Sequence, residues 1–409
     1  MEPDGVPEHR EYDEAPPARP GRDRIWPHLV WEVLLAAAVV VAALAVRHEQ
    51  PGAFGGDSLR NLLVLLAGGV LLGSAFALSL RAAVPNLAVG GAAVTSGVLV
   101  AWLVDERGYE LRTAVLVSLG AAIALGLAMA VIVVGFRAPA WATGLGAALG
   151  LYAAVLSLTS GRSLLLQDGP DLRRWAWALA GGAVALSLVG GALGLLPRLR
   201  GAVGRYRQAA DPAAGRGASA GLVATAALVG SCLLAAGAGV ILSLRLGAVT
   251  PDDGLMLLAQ AAGAALLGGT SAHGRRGGIL GTVLAAAFLQ LAALWLGLVE
   301  AEPWTRPALL GSALIVGLLV GRVVEAAGSR PGEPGPGDGD YPSPEPDPYV
   351  TQGYQPFDTG TFARPTYRAG EREWWNEPTT ASGPATGADT GTGARPAPGS
   401  SGTPPFRAP

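Results

Sequence analysis

The sequence contains no lysine, so all 29 basic residues are arginine. Without lysine there can be no G-x-x-x-x-G-K-[ST] phosphate loop and no Schiff-base chemistry, and the chain is not itself a P-loop ATPase. Cysteine is nearly absent too. Cys232 stands alone inside an apolar run, which excludes an intrachain disulfide framework and a thiolate metal cluster. The four histidines, His9, His28, His48 and His273, lie far apart and form no H-x-x-x-H pair. With no carboxylate pair or nucleophile constellation either, neither an enzyme nor a metal or other cofactor is expected. Charge is scarce, at 15% of residues, where a soluble chain carries about 25%. The net charge of −2 leaves no footprint for nucleic acid.

Apolar residues are abundant: half of the 409 residues are hydrophobic and 60 are glycine. They collect in runs of roughly 18 to 25, long enough to cross ~30 Å of hydrocarbon as helices. Ten runs are read, at 29–46, 61–80, 87–104, 113–135, 139–159, 175–196, 220–244, 255–269, 278–298 and 307–324, the eighth being short. The expected fold is all-α, a polytopic integral membrane bundle of about ten transmembrane helices over 26–325.

The flanks read differently. Residues 1–25 are polar, and seven acidic residues (Glu2, Asp4, Glu8, Glu11, Asp13, Glu14 and Asp23) make the start unlike a secretory signal. A disordered cytoplasmic arm is expected there. Residues 326–409 are rich in Pro, Gly, Ser, Thr and Asp and are expected to form a disordered cytoplasmic tail. Two features interrupt it, a tyrosine series (Tyr341, Tyr349, Tyr354, Tyr367) and Glu371-Arg372-Glu373-Trp374-Trp375-Asn376. The tail is either simply solvated or a docking peptide for a cytosolic partner or the lipid interface.

Orientation follows from arginines in short loops. Arg198, Arg200, Arg205, Arg207 and Arg216 occupy 197–219, and Arg275 and Arg276 occupy 270–277. These place both termini in the cytoplasm of a multi-pass plasma-membrane protein. Arg173 and Arg174 run against the rule.

Glycine pairs four apart recur at Gly69/Gly73, Gly146/Gly150, Gly190/Gly194, Gly277/Gly281 and Gly317/Gly321. Small residues at that spacing let helix backbones approach, within one bundle or across a dimer seam.

The apolar runs hold almost no ionisable group. Glu32 sits about one turn inside the first run and is either interfacial or a functional carboxylate, and no proton relay is visible. Polarity inside the runs is uncharged: Asn86, Thr95, Ser96, Gln260 and Gln290. Such groups either line a path for a neutral, hydrogen-bonding solute or satisfy a neighbouring helix. Pro85 breaks its helix and frees carbonyls, which makes 85–90 the best pathway element. Asn86, Thr95, Gln260 and Gln290 are the pathway candidates.

Leu267-Gly268-Gly269-Thr270-Ser271-Ala272-His273-Gly274-Arg275-Arg276-Gly277-Gly278-Ile279-Leu280-Gly281-Thr282 resembles the L-G-G-T-S-x-x-G-G-R-G-S-x-x-G-T stretch of ABC-transporter permeases of the ribose and branched-chain amino acid class. It departs at Arg275 and Gly278. Upstream, 235–247 ends in Arg245-Leu246-Gly247 before a loop with Pro251 and Gly254, in the family's order. Asn86-Leu87-Ala88-Val89-Gly90 looks like its early (D/N)-L-x-x-G segment. Phe136-Arg137-Ala138-Pro139 is similar to its Pro-containing start of a central helix.

The resemblance, over roughly 60–325, implies a ten-helix permease working as a homodimer or heterodimer. It further implies a separate ABC ATPase subunit and, for import, an extracellular solute-binding protein. It also implies a structural hairpin built on Gly268, Gly269, Thr270, Ser271, Gly274, Gly277 and Gly281. The family's ATPase-coupling segment, N-P-E-A-A-R-like, corresponds here to Ala210-Asp211-Pro212-Ala213-Ala214-Gly215-Arg216-Gly217, with Arg207 close by. Its glutamate is missing, and each glycine weakens a helix by roughly 1 kcal/mol relative to alanine. The alternative is a membrane scaffold or receptor-like protein on the same fold, without ATPase coupling.

Overall fold

The computed structural model describes residues 26–166, 169–193, 218–271 and 278–328. Ten helices occupy them: α1 (Trp26–Glu49), α2 (Gly56–Arg81), α3 (Val89–Ala101), α4 (Leu111–Ala130), α5 (Ala140–Thr159), α6 (Ala176–Leu193), α7 (Ala218–Leu246), α8 (Gly254–Leu267), α9 (Ile279–Leu298) and α10 (Thr305–Gly328). One π-turn continues α3 over Trp102–Glu106 and another continues α4 over Val131–Gly135. Each apolar run of the sequence corresponds to one helix. The reason is local, since in hydrocarbon a chain satisfies its own backbone N–H and C=O groups by coiling.

Nine of these helices are long and apolar enough to span a membrane; α8, with 14 residues, is too short. Large aromatic side chains lie exposed near the helix ends. Tyr109, Trp175, Trp177 and Trp304 mark one face of the bundle, and Phe136 and Trp141 mark the other. Such belts suit the two membrane–water interfaces. The chain is a multi-pass membrane protein.

The first face carries a short ribbon. β1 (Leu164–Leu165) pairs antiparallel with β2 (Ala248–Val249), tying the α5–α6 connection to the α7–α8 connection. Beside it, Arg173 donates to Asp171 at 2.9 Å and to Asp57 at 3.3 Å, so an arginine that runs against the charge rule is matched by two carboxylates. The second face carries the start of α1, the α4–α5 connection and the turn between α8 and α9. They are called the ribbon face and the hairpin face below.

Helices α2, α3, α7 and α8 form the centre. α2 packs along α7, α3 along α7, and α8 along α2, while α3 also meets α8. These contacts repeat a pattern. Each half has a long helix (α2 or α7), then a short one (α3 or α8), then two more (α4 and α5, or α9 and α10). Because α2 starts at the ribbon face and α7 at the hairpin face, the two halves are inverted.

The sequence repeats with them. Leu78-Ser79-Leu80-Arg81 ends α2, and Leu242-Ser243-Leu244-Arg245 stands at the end of α7. Pro85 and Pro251 follow. Ser79 Oγ donates to Phe76 O at 2.8 Å and Ser243 Oγ to Val240 O at 3.0 Å, the same backbond three residues upstream. Leu242 lies against Gly68, and Leu78 lies against Gly230, so each motif packs on a glycine of the other helix.

Three expectations are corrected. α10 runs past Glu325 to Gly328, because Glu325, Ala326 and Ala327 are good helix formers and glycine then ends the helix. α5, expected as a central helix after Pro139, is peripheral, with Leu145, Leu149 and Tyr152 exposed. The glycine pairs differ among themselves. Gly69 and Gly73 are filled against neighbours, Gly281 and Gly317 press on backbone, and Gly146, Gly150, Gly190 and Gly321 face open space. Gly194 and Gly277 lie outside the described residues, as do the 1–25 arm, the 197–217 loop and the tail from 329.

Candidate functional site

Among the described residues, the fully buried polar side chains are Ser, Thr, Asn and Gln, while Arg81, Arg245 and His28 are half-buried toward the two faces. Glu32 is half-buried on α1. The interior therefore offers hydrogen bonds without charge.

Asn86 stands where the sequence places a break. α2 stops at Arg81, α3 starts at Val89, and Asn86 between them is fully buried. Its Nδ2 donates to Ser231 Oγ at 3.1 Å and Cys232 Sγ at 3.5 Å, and its Oδ1 accepts from Ala88 N at 2.9 Å. Its own N–H goes to Ser79 Oγ at 3.1 Å. These bonds fasten the break to the middle of α7, leaving the Asn86 amide fully engaged within the chain.

The structure brings Gln260 and Gln290 together. A Cβ added to Gly69 would lie 2.8 Å from Gln290 Nε2 and 3.3 Å from Gln260 Nε2, so α2 carries glycine where two carboxamides from α8 and α9 converge. Gln290 Nε2 donates to Leu65 O at 3.1 Å, bridging α9 to α2. Gln260 is buried and makes no side-chain hydrogen bond among the described residues. Thr95, on α3, is half-buried, and its Oγ1 is without a partner, as is Ser74 Oγ on α2. Unpaired hydroxyls and an unpaired amide in an apolar bundle cost about 1–3 kcal/mol each, and a hydrogen-bonding ligand or water offsets that cost.

The hairpin residues form a close backbone crossing. Added Cβ atoms on Gly278 and Gly281 would both overlap the Gly268 carbonyl. Gly269 has φ +81°, a left-handed conformation that closes α8 as glycine commonly does. Thr270 and Ser271 are buried just beyond it. The turn is held from outside by Trp31 Nε1, which donates to Leu267 O at 2.7 Å, and by Arg81 Nη2, which donates to Gly278 O at 2.8 Å. Gly274 and Gly277 of the hairpin and Arg207, Asp211, Pro212 and Arg216 of the coupling loop lie outside the described residues.

A cleft of about 720 Å³ opens elsewhere, between α1, α9 and α10, lined by Val41, Phe288, Ala292, Trp295 and Leu309. Its apolar walls face the hydrocarbon and suit lipid chains, not a polar solute. On the ribbon face two carboxyls are shifted in opposite directions. The Arg173 hydrogen bond holds Asp171 below the ordinary carboxylate range. Burial beside the start of α8 pushes Asp253 up, with Asp252 adding to the rise and Arg306 opposing it.

From the sequence Gly69 reads only as a packing glycine and Arg245 only as part of a family-like segment, and Arg81 does not stand out as a site residue. The available signal was the repeated Leu-Ser-Leu-Arg, each copy followed within a few residues by proline. No family model, curated protein or solved structure matches this chain.

Proposed function

We propose that the chain is the permease subunit of an ABC-type transporter that moves a small, uncharged polar solute across the plasma membrane. The observation that carries this reading is the pair of helices at corresponding positions of an inverted repeat, α8 with 14 residues and α3 with 13 before its π-turn, each beginning after a broken segment and bearing Gln260 and Thr95 respectively. Short or interrupted helices at matching positions of inverted halves point to a binding site near the midplane. The uncharged interior supports a neutral solute, and energy then comes from a partner and not from a proton relay.

In this reading two permease subunits pair. A separate ATPase grips the 205–217 loop, and a solute-binding protein meets the ribbon face during import. Replacing Asp211-Pro212-Ala213-Ala214 by a Gly-Ser stretch is expected to abolish both ATPase co-purification and solute uptake while the bundle stays folded. A pull-down on the unaltered protein that recovers no ATPase would overturn the reading. It would favour a scaffold without ATPase coupling, for which the glycine-flanked Asp211-Pro212 segment without its glutamate already speaks.

A further inference from the structure

The repeat holds one pair of corresponding side chains in different states. Arg81 ends its motif at the hairpin face and donates to the carbonyl of Gly278, the residue ahead of α9. Arg245 ends the same motif at the ribbon face. It makes no hydrogen bond among the described residues, whereas the Nη2 of Arg81 is engaged. In the inverted half, α4 takes the place of α9, so the residue corresponding to Gly278 is Glu110, ahead of Leu111. Leu111 and Leu244 share one apolar cluster, which sets the start of α4 beside the end of the arginine motif.

Two inverted halves that rock against each other open one face as they close the other. Exchanging the conformations of the halves then generates the second state, and whatever one half engages in the first state its counterpart engages in the second. A guanidinium suits this role because its donors stay charged and form a fixed fork. We propose that Arg81 and Arg245 are alternating latches. Arg81 holds the hairpin face shut in the state described here. In the other state Arg245 grips the chain ahead of α4, through the carbonyl or carboxylate of Glu110, and Arg81 lets go. The purpose of the exchange rests on the transport reading, but the exchange itself is readable without any solute.

The test uses the full chain with Cys232→Ser and two spin-label pairs at exposed positions, Leu246/Arg112 on the ribbon face and Phe136/Leu280 on the hairpin face. Pulsed electron resonance then reads both distance distributions. Arg81→Met, which keeps the packing of the stem and removes every donor, is expected to raise the population of short 246–112 and long 136–280 distances roughly fivefold, the equivalent of about 1 kcal/mol. Arg81→Lys, which keeps a donor, should resemble the parent, and adding Arg245→Met to Arg81→Met should remove the short 246–112 population. Arg81→Leu, also without a donor, serves as second variant if Arg81→Met does not fold. Distributions unmoved by loss of the Arg81 donor overturn the latch. Shifted distances in a protein that recruits no ATPase would keep the latch and remove the transport reading, whereas an ATPase with unmoved distances would do the reverse.

Discussion

Helices α2 and α5 carry the same small-residue spacing and meet opposite surroundings. Gly69/Gly73 and Gly146/Gly150 are each four residues apart in a helix that is apolar nearly throughout. Yet the spanning window of α2 is 72% buried and that of α5 is 17% buried. On α2 the missing side chains make room for Gln290, Gln260, Ala264 and Thr282. On α5 nothing among the described residues approaches either glycine. Glycine in a helix costs about 1 kcal/mol relative to alanine. Close packing offsets that cost in the first helix, and no contact among the described residues offsets it in the second. The spacing confers a capacity for close approach; the neighbours decide whether it is used.

The comparison is most open to attack where packing is tightest. Gly239→Leu would drive a side chain into the Ala93 backbone, and Gly268→Leu would place one within the reach of Thr282 N. Each is expected to cost at least ~3 kcal/mol and most of the folded yield, since the clash is with backbone that cannot rotate away. A thermal melt in detergent equal to that of the parent would refute the crossing concerned. Asn86→Ala comes next. It leaves Ser231 and the Ala88 N–H without their partner in the interior, and a loss of roughly 2–3 kcal/mol is expected. Ser231→Ala, removing one acceptor, should cost about 1 kcal/mol in the same assay.

Gly146→Leu and Gly150→Leu should change stability by no more than ~0.5 kcal/mol, because the new side chain enters lipid. An unchanged melt with a lost dimer, read by mass in detergent, would assign the α5 face to a second copy and sharpen the contrast with α2. The smallest effect concerns the ribbon face. Asp171 titrates below its ordinary range because Arg173 hydrogen-bonds it. Its contribution to stability is therefore present above the ordinary carboxylate pKa and is lost as pH falls through the lowered value. Melting curves of the parent and Asp171→Asn should differ slightly near neutral pH and converge in acid. A gap that widens with acidification would contradict the pairing.

Much of the fold could be read locally. The ten apolar runs, the shortness of the eighth and the break at Pro85 all correspond to features of the structure. Each depends on residues within one or two turns of itself. A run of apolar residues in hydrocarbon must be helical, and a proline must interrupt it.

The site was read only in part. Asn86, Thr95, Gln260 and Gln290 stood out as polar residues within apolar runs, but their fates diverged. Asn86 is engaged by a helix 145 residues further on, Gln290 by a carbonyl of α2, and Gln260 is left with an open amide. Composition by itself determined that this chain crosses a membrane as a bundle of helices with an uncharged interior. Only the tertiary structure decided which glycines are filled, which amides meet and which arginine is engaged. The physical reason is that lipid and protein interior are equally apolar, so the helices carry no hydrophobic stripe to say which face turns inward. In water such a stripe marks the buried face; in hydrocarbon that information exists only in the shapes and hydrogen bonds of helices already packed together.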